Sequence, residues 1–95
     1  MRTVVKYKQY EKAVKEVERL GFAAQLNDKI DMLIKCDVLH AHDHPLHRTS
    51  RHKSGISGLR ELHVTGEILL IYRRIGQTVE LVDICKNHKE LRKKY

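Results

Sequence analysis

A chain of 95 residues with 41% hydrophobic side chains can enclose one core, since separate domains run to roughly 100–200 residues each. Its 19 Lys and Arg outweigh 12 Asp and Glu by +7 with seven His uncounted, a balance suited to a polyanionic partner. The longest apolar run, 68–72, has five residues against the roughly 20 of a membrane span, and the opening stretch has no apolar h-region of about 7–15 residues, so a cytoplasmic protein is expected.

Val4 and Val5, flanked by charge, predict one short strand. Between 7 and 20 the period changes. Tyr10, Ala13, Val14, Val17 and Leu20 recur at three- and four-residue spacing, the stripe of an amphipathic helix, and Gly21 follows where a left-handed C-terminal cap belongs. A second helix is predicted from about 23 to 35 on Leu26, Ile30, Leu33 and Ile34. The tight join at Gly21-Phe22 predicts that the two helices pair antiparallel.

From about 37 to 57 the periodicity disappears. Five of the seven histidines stand here, His40, His42, His44, His47 and His52, together with Arg48, Arg51 and Lys53. Pro45 favours an extended His44, and 54–58 reads as turn. A loop this long in so small a domain points to function. Positions 58–64 then alternate: Leu62 and Val64 share a face with Arg60, while Leu59, Glu61 and His63 occupy the other. Thr65-Gly66 turns the chain, and 68–72, apolar on both faces, predicts a central strand. A second turn at 75–77 leads into a last strand over 79–84, followed by a basic tail from 86 to 95. Cys36 and Cys85 lack any Cys-x-x-Cys spacing and read as buried reduced thiols. Together these elements predict one α+β domain over 1–95: two N-terminal helices packed on a mainly antiparallel sheet, built from the short N-terminal strand and a three-stranded C-terminal meander.

The histidines suggest two chemistries. His40-Ala41-His42-Asp43-His44 approaches the His-x-His-x-Asp-His pattern of metallo-β-lactamase-type hydrolases but is one residue short, and that fold needs a far longer chain. A looser zinc site from three of these imidazoles is an alternative. No cysteine or second His pair has ligand spacing, so neither metal nor cofactor is expected. The other chemistry is metal-free RNA cleavage, in which the substrate's own 2′-OH is the nucleophile. The protein then supplies a base, an acid for the leaving 5′-oxygen and cations for the phosphorane charge. Histidine serves both proton-transfer roles because its unperturbed pKa lies near about 6.5. His63 ends the first meander strand with Glu67 across the turn, His88 follows the last strand, and the loop returns His44 to the same edge.

Four stretches carry a family resemblance: Asp43-His44-Pro45-Leu46, Gly58-Leu59-Arg60-Glu61-Leu62-His63-Val64, Leu69-Leu70-Ile71-Tyr72-Arg73 and Asn87-His88. In order and spacing the chain resembles the YafQ-like branch of the RelE toxin superfamily over nearly its whole length. The resemblance implies a ribosome-dependent mRNA endonuclease, the toxin of a toxin–antitoxin pair, with a compact RelE-like fold. It also implies an antitoxin partner whose acidic segment folds along the basic surface, and contacts to ribosomal RNA and mRNA. By position it gives His88 the role of general acid, His63 assisted by Glu67 that of base or 2′-OH positioning, and His44 that of RNA positioning with a share in the base role.

The chain departs from the family pattern at several points. The family arginine four residues before the last histidine falls on Ile84, and the aromatics expected after Glu67 and near the C-terminus are Ile68 and Arg92. Charge stabilisation and RNA binding therefore fall to Arg60, Arg73, Arg51, Lys53 and Lys86, with Arg48 in the lengthened loop and Arg92 in the tail. Two alternatives follow: a RelE-fold module that binds rRNA and antitoxin with little cleavage, for which Ile84 speaks, and a metal-binding regulator using the His-rich loop.

Overall fold

The computed structural model describes residues 2–35, 43–45 and 58–94. The elements run β1 (Thr3–Lys6), α1 (Lys8–Arg19), α2 (Ala23–Lys35), β2 (Asp43–Pro45), β3 (Arg60–Thr65), β4 (Ile68–Ile75), β5 (Thr78–Cys85) and α3 (His88–Lys94). The strands form one sheet in the order β1-β5-β4-β3-β2. β1 runs parallel to β5, and every other pair is antiparallel.

This is the expected α+β fold with two additions. Part of the predicted loop, Asp43–Pro45, pairs with β3 as an edge strand, a place where proline's missing N–H costs no inner ladder bond. The basic tail forms α3, whose start is fixed by Asn87: its Oδ1 accepts the Glu90 N–H at 2.8 Å and its carbonyl accepts the Leu91 N–H at 3.1 Å. That is the geometry of an N-cap side chain satisfying a first-turn donor.

α1 and α2 cover one face of the sheet. Tyr10 and Val17 from α1 and Leu26 and Leu33 from α2 meet Leu62, Val64, Leu70, Tyr72, Val79, Leu81 and Ile84. α1 packs chiefly over β5 and α2 over β3, so the sheet holds each helix more than its neighbour does. The link between them ends α1 as predicted: Gly21, at φ +87°, lets its own N–H reach the Glu18 carbonyl and the Phe22 N–H reach that of Val17. Those two bonds satisfy carbonyls the helix leaves open and turn the chain in one residue.

The other face carries Leu59, Leu69, Ile71, Val82 and Cys85, closed by Leu91 of α3 with Tyr7 at its margin. β4 is therefore buried on both sides from Ile68 to Tyr72, as its unbroken apolar run predicts. Cys85 is a buried free thiol, and Cys36 lies outside the described residues. Within β5 the register slips: Ile71 faces Asp83 but Tyr72 faces Leu81, which leaves Val82 as an extra, bulged residue. The slip sends both Leu81 and Ile84 to the helix side and Val82 and Cys85 to the other.

Candidate active site

The face away from α1 and α2 can be read row by row, because directly paired residues of a sheet share a face. At one end, His63 of β3 pairs with Leu69 of β4, which pairs with Cys85 of β5. The next row is His44, Glu61, Ile71 and Asp83, one residue from each of β2 to β5. Further along, Arg73 faces Glu80. Neighbouring strands lie about 4.8 Å apart, so His63 and Cys85 are separated by roughly 10 Å across β4.

Three of the four predicted catalytic positions gather at the His63 end. His63 is half-buried there, Glu67 is exposed in the Gly66-Glu67 turn that follows β3, and α3 begins three residues after Cys85 with His88 as its first residue. Leu91 binds α3 to this face, which fixes where the backbone of His88 lies. The fourth, His44, is one row in, on the strand next to β3. Glu67 is in the turn itself, not on the strand after it, and its carboxylate is exposed.

The buried acid of the face is Glu61, which was not among the predicted catalytic residues. It is 8% exposed, and its Oε2 has no hydrogen-bond partner among the described residues. Alternation with His63 puts Glu61 on this face from sequence alone, but its burial depends on the neighbouring strands. Asp83 is also buried, and its Oδ1 accepts the N–H of Ile84 at 2.8 Å.

The predicted cations divide. Arg60 pairs with Tyr72, a residue of the helix-side core, so it belongs to the face opposite His63. Arg73 is on the right face but donates from Nε and Nη2 to Glu80 Oε1, both at 2.6 Å, and the Tyr7 hydroxyl donates to the same oxygen at 3.2 Å. Its charge is matched locally, two rows from His63. Lys86 is exposed two residues before His88, and Arg92 lies in α3. Arg48, Arg51 and Lys53 lie outside the described residues, as do His40, His42, His47 and His52.

Ile84, taken in sequence as an arginine missing from the site, is 2% exposed in the helix-side core. The bulge at Val82 puts it there. A separate cleft of about 300 Å³ opens between α1 and the β5–α3 junction, lined by Lys12, Glu16, Asp83, Lys86 and Glu90 among others. There the Glu16 carboxyl is held below its usual range, first by the hydrogen bond from Arg19 and further by the charges of Arg19 and Lys86. Among the described residues, no three His, Cys, Asp or Glu side chains are grouped to hold a metal ion, and no helix is long and apolar enough to cross a membrane.

A mixed sheet covered by two helices on one face, with histidine positions gathered at one end of the other, defines a compact toxin domain of the RelE superfamily. Residues 2–93 match the bacterial toxin of type II toxin–antitoxin system, YafQ, and the chain belongs to that family. Among solved structures it resembles YafQ from E. coli strain BL21(DE3), at 26% identity and TM-score 0.69 over 88% of this chain and 91% of that one. It also resembles the E. coli DinJ-YafQ toxin-antitoxin complex (26% identity, TM-score 0.76, 95% and 96% covered). A metal-bound toxin from Helicobacter pylori is similar at 29% identity and TM-score 0.74, over 96% and 99% of the two chains. No curated protein matches the chain.

Proposed function

We propose that this YafQ-family toxin is a ribosome-dependent endoribonuclease that cleaves mRNA by metal-independent acid–base chemistry and so stops translation in the cytoplasm. The observation that carries the reading is the single end of one sheet face that holds half-buried His63, the turn residue Glu67 and the capped start of α3 at His88, with His44 on the adjacent strand. In this scheme the ribose 2′-oxygen attacks the neighbouring phosphorus while an imidazole takes its proton. The bond from phosphorus to the 5′-oxygen breaks as a second imidazole returns a proton to it. His88 is the acid, His63 with Glu67 is the base side, and His44 positions the RNA and shares the base role. A proton donor and acceptor on opposite sides of a phosphate must stand several ångströms apart, and the spacing of β3 and β5 across β4 supplies that distance.

The net charge of +7 suits ribosomal RNA and mRNA. It also suits an acidic antitoxin, and the E. coli relative solved with DinJ supports such a partner. Loss of cleavage was the alternative suggested by Ile84, but a side chain in the helix-side core has no bearing on the opposite face. The metal-bound Helicobacter pylori relative favours a metal test.

The deciding experiment incubates the purified protein with programmed ribosomes and maps transcript ends, with and without chelator. Cleavage that persists in chelator is expected, with a loss of about 10²–10⁴-fold in folded His63→Gln and His88→Gln variants. Full activity in both variants would end the assignment, and activity restored only by added metal would replace the metal-free scheme.

A further inference from the structure

Glu61 is the feature that the catalytic scheme leaves unused. A carboxylate more than nine-tenths buried, with one oxygen lacking any hydrogen-bond partner among the described residues, is costly unless another group serves it. The sheet register names that group. His44 stands directly opposite Glu61 across the β2–β3 ladder, and side chains of directly opposed residues begin about 4.5–5.5 Å apart at Cβ. His63 is the next imidazole on the face, two residues along the same strand. The remaining charged groups near Glu61 are matched elsewhere: Asp83 lies beyond Ile71 and bonds the Ile84 N–H, Arg73 is paired with Glu80, and Glu90 of α3 lines the α1 cleft.

We propose that Glu61 is a positioning residue for His44: its carboxylate accepts a hydrogen bond from the imidazole, fixes the ring and its tautomer, and makes the ring more basic. A carboxylate beside an imidazole favours the charged ring, and a bond to one ring nitrogen leaves the other aimed outward as the proton acceptor. The use of this pair as a base rests on the ribonuclease reading, but the pair itself does not. Glu61, not the exposed Glu67, is then the acid that tunes a site histidine.

The test follows each imidazole by NMR in protein labelled at histidine Cε1, with His44 assigned by its loss in His44→Gln. In the native protein His44 is expected to titrate above the ordinary value of about 6.5. Glu61→Gln, which keeps the shape and removes the charge, should lower that midpoint by about one unit, a tenfold change in proton affinity, while His63 and His88 hold theirs. A His44 midpoint that does not move, or a shift on His63 in its place, overturns the proposal. If Glu61→Gln does not fold, the Glu61 carboxyl is followed in His44→Gln instead: its titration should move upward, and an unchanged carboxyl overturns the pairing. In the cleavage assay the acid limb of the pH profile should move about one unit lower in Glu61→Gln. A native protein that shows the titration but cuts no RNA keeps the pair and refutes the ribonuclease reading.

Discussion

The seven residues of α3 hold the proposed general acid, and their attachment to the sheet rests largely on one side chain. A helix this short has little stability of its own, since isolated helices below about 12–15 residues are marginal in water. Leu91, at 8% exposure, is its buried apolar residue against Leu69, Ile71, Val82 and Cys85. Leu→Ala changes in cores cost about 2–5 kcal/mol, and a helix at the surface relaxes enough to put Leu91→Ala near the low end. About 2.5 kcal/mol lowers the ratio of docked to undocked α3 roughly 60-fold. Hydrogen exchange should therefore show the amides of 88–94 losing protection while the β4 and β5 amides keep theirs, and transcript cleavage should fall with the docked fraction. Leu33→Ala is the control. Leu33 is fully buried under α2 on the other face, so it should cost the fold at least as much yet leave cleavage intact wherever the protein remains folded. If α3 keeps its protection in Leu91→Ala, or if cleavage drops no further than in Leu33→Ala, the anchoring argument fails.

Three further outcomes follow from the same geometry. Gly21→Ala meets no atom within 4 Å but must hold a φ of +87°; the backbone cost of about 1–2 kcal/mol should lower Tm by at least about 4 °C, read by thermal denaturation. Burial, with help from the charge of Glu18, pushes the Tyr10 phenol above its ordinary 10.0, so the folded state holds that proton longer than the unfolded chain does. The associated stability is complete below pH 10 and is lost as pH rises through the folded value; Tyr10→Phe should flatten the alkaline fall of ΔG in urea titrations. Ile84→Arg, designed to restore an arginine to the site, should instead place a charge in the helix-side core at a cost of several kcal/mol, and a folded variant with increased cleavage would disprove the placement of Ile84.

The α1–Gly21–α2 unit was legible because a 3.6-residue stripe, a glycine and a second stripe agree with one another. β4 was legible because only a strand covered on both faces uses five apolar residues in succession. β2 was not, since Asp43-His44-Pro45 has no apolar alternation and owes its form to pairing with β3. α3 carried its signal in Asn87 and Glu90, an N-cap residue and an acid three positions on, but one buried leucine makes no periodic stripe. The bulge left only the adjacent Leu81 and Val82 as a trace. Glu61 was correctly placed on the His63 face by alternation, yet alternation says nothing of depth, and a strand-borne glutamate reads as solvated until β2 and β4 are known to flank it.

The bulge at Val82 also decides where positive charge can come from. Without it, strict alternation through Leu81, Asp83 and Cys85 would put Ile84 on the site face beside His88; with it, Ile84 belongs to the helices and Cys85 closes the end row. Arg60 projects to the wrong face and Arg73 is matched by Glu80. Among the described side chains this leaves Lys86, exposed at the end of β5 and two residues before His88. An ammonium on a flexible stem acts on a phosphate as a mobile point charge, where an arginine would clamp two oxygens in a fixed fork. On the ribonuclease reading, therefore, this toxin neutralises the developing phosphorane charge from the strand's end with less geometric constraint than an arginine within the sheet would impose.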